Sequence, residues 1–308
     1  MNILIAGASG FIGRNLVKAL ETEHQITVLG RNSAVLEKSF ADPIKKCTWD
    51  ALDNLDAKDY DVVINLCGHN IGASRWNAEV KQKLIDSRVK TCSALIDWAI
   101  KKEGRPHFYC ANAIGIYGLQ KNSDPQAFDE NSFINFENPP DFLAEIAVLW
   151  QKAMQPAIDK GLKVTITRFG VALQKGEGML KKLSPSFYLG LGAVIGDGKQ
   201  ILSWVHVDDI VGAYLFLLKR PELTGALNLT SPNPVSQAEF SKTLAKTMHR
   251  PFFLKIPGIL ISKLFGEMGD SLLLQGQRVL PKRLNYEGYQ FIYPDLTSAL
   301  NQEFKTKD

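Results

Sequence analysis

The chain has 308 residues, 45% of them hydrophobic and 22% charged, with a formal net charge of +4. That balance describes an ordinary globular protein, long enough for a large α/β domain and a smaller lobe. No dense Lys/Arg stripe interleaves with aromatics and no apolar run reaches the roughly eighteen residues of a membrane span, so neither nucleic acid nor membrane is expected as a partner.

The first strand-length apolar run starts at Ile3 and ends at Gly7, and glycines recur at Gly10 and Gly13. A helical pattern follows, with Phe11, Ile12, Leu16, Val17 and Leu20 along one face. In such a loop the first glycine permits a tight turn. The second lets backbone N–H groups approach a pyrophosphate, and the third lets helix and strand pack closely. The helix N-terminus then offers unpaired N–H groups and a partial positive charge to the anion. A dinucleotide site is therefore expected at the start of the chain.

Residues 25–29 read as the second strand and end at Gly30-Arg31, with no acid. A carboxylate there would accept ribose hydroxyls and repel a 2′-phosphate. Arg31 would pair with that phosphate, and Arg14 offers a second cation, so the expected cofactor is NADP (NADPH). A third strand is expected near residues 47–49, a buried fourth at 61–68, and a long helix at 78–101. The fifth strand covers 107–111. A long polar loop ending at Pro139-Pro140 exceeds what a compact connection needs and is a candidate active-site loop. A helix over 141–160, kinked or ended by Pro156, leads to a sixth strand at 163–168.

This alternation predicts an α/β fold: a Rossmann-type doubly wound parallel sheet with a smaller C-terminal substrate lobe. Residues 1–168 form the expected NADP-binding domain, later strands being free to join its sheet, and 169–308 the substrate lobe. The lobe is punctuated by Gly176, Gly178, Gly190, Gly192, Gly196 and Gly198, with short helices near 207–219, 236–248, 258–265 and 295–301. The cations between Lys242 and Lys255 read as a solvated face.

Cys47, Cys67, Cys92 and Cys110 show neither C-x-x-C spacing nor clustering with histidine, so no metal or redox motif is expected. Cys67 and Cys110 sit in apolar runs as buried thiols. Reduced cysteines, and a nucleotide loop too near the start to leave room for a cleavable leader, point to the cytoplasm.

The runs GASGFIG, NLCG, ANAIGIYG and WVHVDD resemble extended short-chain dehydrogenases/reductases. Residues 71–88 (IGASRWNAEVKQKLIDSR), 190–198 (GLGAVIGDG) and the tail from RPFFLKIP to GYQFIYP are similar, more narrowly, to the atypical "epimerase family" branch, described as nucleoside-diphosphate-sugar epimerases. The tail resembles that branch's small C-terminal domain of unknown function, here about 249–298. The resemblance implies that Gly7, Ser9, Gly10, Phe11 and Ile12, closed by Gly13, lie at the pyrophosphate. It implies Arg31 at the adenosine phosphate, Asp50 near the adenine, and Leu66, Cys67 and Gly68 along the ribose. Asn112-Ala113 falls where the fifth strand delivers a catalytic hydroxyl. His206 and Asp208 match an H-x-D-D turn read as structural, with Asp208 capping the next helix.

Ordinary members use Tyr-x-x-x-Lys on the helix after the fifth strand, where the ammonium lowers the phenol pKa. Here that helix, from Asp141, holds neither residue at the required spacing. A literal match, Tyr117 with Lys121, lies in the preceding loop, where helical i/i+4 geometry is not expected. Asn112 and Tyr117 are the candidate catalytic residues, Tyr117 because its loop opens at the ligand edge of the sheet. Lys81, His206 and Glu145 are further proton carriers, each also readable as helix surface or turn. Trp76, Trp204 and Phe187 read either as an aromatic substrate wall or as core. The expected function is an NADP-dependent oxidoreductase or epimerase acting on an unidentified small carbonyl or alcohol through a non-standard proton donor. The alternative is a non-catalytic NADP(H) sensor; oligomeric state stays open.

Overall fold

A computed structural model describes residues 1–120 and 126–305. The chain begins β1 (Asn2–Ala6), α1 (Phe11–Leu20), β2 (Gln25–Gly30), α2 (Ser33–Ser39), β3 (Lys45–Thr48), β4 (Val62–Asn65), α3 (Ala78–Lys101) and β5 (His107–Ala113). It continues with α4 (Phe142–Lys152), α5 (Gln155–Asp159), β6 (Val164–Phe169), β7 (Val171–Leu173), α6 (Gly178–Tyr188), β8 (Ala193–Ile195), β9 (Ile201–Leu202) and β10 (Trp204–His206). The last part holds α7 (Val207–Leu218), β11 (Gly225–Leu229), β12 (Val235–Ser236), α8 (Gln237–Thr247), β13 (Leu254–Ile256), α9 (Gly258–Phe265), α10 (Glu267–Gly269), α11 (Lys282–Tyr286) and α12 (Leu296–Phe304).

Seven strands form one parallel sheet in the order β11-β6-β5-β4-β1-β2-β3. Both faces are covered, which is why its central strands read as unbroken apolar runs rather than alternating ones. One face packs on α1 and α7 through Leu16, Val17, Ile210, Tyr214 and Leu217. The other packs on α3, α4 and α5 through Leu95, Trp98, Trp150 and Ala157. The chain leaves β1 toward β2 and β3, then returns to lay β4 on the other side of β1. That reversal opens a crevice at the carboxyl ends of β1 and β4, where open α/β sheets bind ligands.

The expected doubly wound sheet is present, and it takes its seventh strand from residues 225–229, well beyond the expected domain limit at 168. The fourth strand ends earlier than the apolar run: after Asn65 the chain leaves the ladder, and Asn65 Oδ1 accepts from the Cys67 N–H at 3.1 Å. The single helix expected over 141–160 is two, broken at Ala153–Met154. Pro156 lies in the first turn of α5, where its missing N–H costs nothing, while its ring would clash with a continuing helix.

The remaining segments build the small lobe around Leu180, Phe187, Trp204, Phe240, Leu244 and Leu300. Short ladders β8/β13 and β9/β12 lie in it. Trp204 and Phe187 are therefore core, not a substrate wall.

Candidate functional site

The glycine loop after β1 is tightly constrained. A Cβ on Gly13 would stand 2.5 Å from the Gly7 carbonyl oxygen, and one on Gly7 would meet the Leu66 carbonyl carbon at 2.9 Å. Gly7 also holds φ +79°, a backbone that L side chains rarely adopt. Glycine at both places lets α1 and the strand-end segment Leu66–Cys67 close on the loop. Gly10 is the N-cap of α1 and supplies no side-chain hydrogen bond, and no acid lies in the first turn. The leading N–H groups of a ten-residue helix thus face the β1–β4 crevice without a side-chain acceptor.

Ser9, Phe11 and Ile12 lie beside that N-terminus, half-buried. Arg31, just past β2, is exposed and has neither hydrogen bond nor ion pair among the described residues. Its charge nevertheless acts on Cys67 and His69, placing it on the same side of the crevice. Asp50 follows β3 on the surface, its carboxyl held below the usual range by a hydrogen bond from Thr48. A groove of about 650 Å³ runs along β2, α2 and β3, lined by Thr27, Ser33, Leu36, Pro43, Thr48 and Ala51. It lies at the β3 edge of the sheet, away from β5, and neither Arg31 nor Asp50 lines it.

Arg14 is not free to act as a second phosphate ligand. Its guanidinium donates to the Ser9 carbonyl at 2.6 Å and pairs with Glu177 at 2.6 Å. Asn15 donates to Gln174 at 3.0 Å, so the segment before α6 is strapped across α1. Cys67 is half-buried rather than fully buried as its apolar run suggested, and desolvation pushes its thiol up to about 12, which disfavours the thiolate. All four cysteines are free. Among the described residues no group of three or more His, Cys, Asp or Glu is placed to hold a metal.

At the carboxyl end of β5 the two candidate catalytic residues are both engaged. Asn112 donates to the Ala147 carbonyl of α4 at 3.1 Å, and its Oδ1 accepts from the Ala113 N–H at 2.7 Å. The Tyr117 hydroxyl donates to Asn228 Oδ1 at 2.8 Å and accepts from Arg168 at 2.8 Å, beneath a stacked Phe128. Burial pushes this phenol up, partly offset by the neighbouring guanidinium. Lys121 lies outside the described residues.

His206 and Glu145 are also settled by their places. His206 is 1% exposed, its Nε2 2.8 Å from Glu303 and its Nδ1 accepting from the Asp208 N–H at 3.2 Å. His206, not Asp208, therefore caps α7, because the strand before it delivers the imidazole onto the first turn. Glu145 is exposed on α4.

Lys81 is placed differently. Its ammonium stands 4.5 Å from the centroid of the Phe142 ring and 2.7 Å from Glu267, which comes from α10 in the small lobe. Phe142 and Ile146 stand four apart in the first turns of α4, packed with Leu84, Ile71, Trp76 and Val80. Trp76 meets Phe142 edge-on at 5.0 Å. An apolar pair thus has the spacing of the usual Tyr-x-x-x-Lys, and a cation from α3 covers it.

Sequence reading missed two charged residues of this region. Glu267 is 186 positions from its lysine, so no local signal reports the pair. Arg88 lies in the recognised run 71–88. It donates to the Leu84 and His69 carbonyls at 2.8 and 3.0 Å and packs against Gly68 without a carboxylate partner among the described residues, and burial lowers its guanidinium to about 10.

Residues 3–229 match the NAD dependent epimerase/dehydratase family, and residues 256–303 match a domain of unknown function, DUF1731. An epimerase family protein of Mycobacterium bovis is 36% identical over 97% of this chain and 96% of its own. The Bacillus subtilis epimerase family protein YfhF is 34% identical over 98% and 97%. Among solved structures, human epimerase family protein SDR39U1 with NADPH superposes with a TM-score of 0.86 at 28% identity, over 99% of both chains. A Thermotoga maritima UDP-glucose 4-epimerase shares the fold, with a TM-score of 0.78 at 17% identity over 99% and 98%. The chain belongs to the NAD dependent epimerase/dehydratase family.

Proposed function

We propose that this family member binds NADP(H) in the β1–β4 crevice and acts as an oxidoreductase or epimerase on a small carbonyl or alcohol. Lys81 takes the role usually given to tyrosine. The observation that carries the reading is the uncapped N-terminus of α1 over a loop with no room for a side chain at Gly7 or Gly13, flanked by Arg31, which has no partner among the described residues. The human relative solved with NADPH supports the same choice of cofactor.

Ser9, Phe11, Ile12 and Gly13 would hold the pyrophosphate through backbone N–H groups, while Gly7 and Gly10, whose own N–H groups donate to the Leu29 and Gly7 carbonyls, shape the turn that presents them. Arg31 pairs with the 2′-phosphate, Asp50 stands by the adenine, and Leu66, Cys67 and Gly68 line the ribose. When bound, the cofactor supplies or accepts a hydride. Lys81 donates its proton to the oxygen of a substrate carbonyl as charge develops there. Glu267 fixes the ammonium, while Phe142 and Trp76 keep water from beneath it. Asn112 acts by position, fastening α4 to β5, and Tyr117 does the same for the loop after β5.

The apolar Phe142–Ile146 pair favours one second reading, a non-catalytic NADP(H) binder. Both are tested by titrating the protein with NADPH and NADH, then following NADPH oxidation over a panel of aldehydes and ketones. Arg31→Asp is expected to weaken NADPH binding about 100-fold and leave NADH nearly unchanged; an unaltered NADPH affinity removes the phosphate assignment. Lys81→Met is expected to lower turnover by about 10²–10⁴ while NADPH binding persists. Tight NADPH binding by the unsubstituted chain with no turnover on any carbonyl favours the sensor.

A further inference from the structure

Exposed apolar side chains are unevenly distributed. Phe253 is 77% exposed, Leu189 76% and Ile259 73%, and Leu191, Leu260 and Leu264 are each about half exposed or more. With Tyr188 and Phe265 they make eight of the fourteen exposed large apolar side chains among the described residues, and all eight come from two stretches, the end of α6 with its following turn and the run from Arg250 through α9. The stretches are neighbours: β8 pairs in register with β13, Ala193 opposite Leu254, and a Cβ on Gly190 would touch the Pro251 ring at 3.1 Å.

Their charge is as uneven. Residues 178–196 and 240–266 contain seven Lys and Arg, and acids bound both stretches: Glu177 and Glu267, paired with Arg14 and Lys81, and Asp197 and Glu239. Counted with those four acids, the two stretches still carry +3 of the chain total of +4. None of the seven cations has a carboxylate partner among the described residues. Arg250, Lys255 and Lys263 are exposed and interleave with Phe253, Ile259, Leu260 and Leu264.

We propose that this face of the small lobe docks on the surface of a membrane rich in anionic phospholipid. The apolar tips enter the headgroup and acyl boundary while the lysines and arginines meet the phosphates, as an interfacial amphipathic helix does. A symmetric contact with a second copy would set the same unpaired cations against one another. A nucleic acid would leave the Ile and Leu tips with nothing apolar to cover them. The absence of a helix long enough to span a bilayer among the described residues concerns crossing, not surface attachment.

The test is co-sedimentation of the full chain with vesicles of phosphatidylcholine alone, or with about 30% phosphatidylglycerol, at low and at roughly 0.5 M salt. The protein is expected to pellet only with the anionic vesicles and to be released by salt. Ile259→Asp with Leu260→Asp, and separately Lys255→Glu with Lys263→Glu, should each lower the bound fraction at least about tenfold. NADPH affinity and thermal midpoint should stay unchanged, which separates this proposal from the cofactor reading and from misfolding. Equal binding to both vesicle types, or none, overturns it. So does binding that survives both double variants, or a dimer in solution that Ile259→Asp dissociates.

Discussion

His107 shows how burial alone sets a side chain's chemistry. It begins β5 at 6% exposure, and Nε2 stands 2.8 Å from Thr165 Oγ1. The Thr165 hydroxyl donates to the Leu223 carbonyl at 2.7 Å, so Nε2 carries the proton and Nδ1 lies buried without a partner. Burial lowers the imidazole to about 4. Because the folded value lies below the unfolded one, the unfolded chain binds more protons between them. Stability is full above about pH 6.5 and falls as pH drops toward 4, by about 3 kcal/mol from this residue. Urea midpoints measured from pH 7 to 4 should fall steeply, and His107→Gln should flatten the slope. Equal slopes would refute the assignment. Nothing local in the sequence announces this, because a histidine opening a strand can face either way. Arg31 differs: the end of a second strand is an adenosine position in this fold, so the role proposed for it rests on a local signal.

Among the elements, caps decide where helices begin. Asn77, Asp141, Ser236 and Asp295 each accept a first-turn N–H, as their residue types lead one to expect. Asp141 does more: Oδ1 accepts from Ala144 at 3.0 Å and Oδ2 from Leu119 at 2.8 Å, tying α4 to the loop after β5. Asp141→Ala should cost about 2 kcal/mol and Asp141→Asn roughly half as much, since the amide keeps the cap oxygen but loses one acceptor. Denaturant titration would measure both; an Asn variant as damaged as Ala would mean that the charge, not the cap, matters. The helix on 78–101 was legible to its ends from its spacing. The cap of α7 was not, because an imidazole seldom does this work and Asp208 has the commoner chemistry.

At the scale of the whole molecule, the C-terminal residues are woven into the large sheet rather than hung from it. The Asp209 carboxylate on α7 accepts from the N–H groups of Ile292 and Tyr293 at 2.6 and 2.9 Å. Asn228 of β11 donates to the Leu280 carbonyl at 3.0 Å, and Ser203 exchanges hydrogen bonds with residues 277 and 279. Removing that segment would strand buried polar groups across the sheet's edge. Scanning calorimetry should therefore show one cooperative transition for the chain, and two separated transitions would show that the lobes unfold independently. The dinucleotide loop, the six strands through residue 168 and the missing Tyr-x-x-x-Lys were determined by the sequence alone, since glycine spacing and apolar period are local properties. Which charges meet was decided only by the tertiary structure. Arg14 finds Glu177 163 positions away, and Lys81 finds Glu267 186 away. Such pairings, and the burial that sets their strength, depend on how distant segments pack, which no local pattern records.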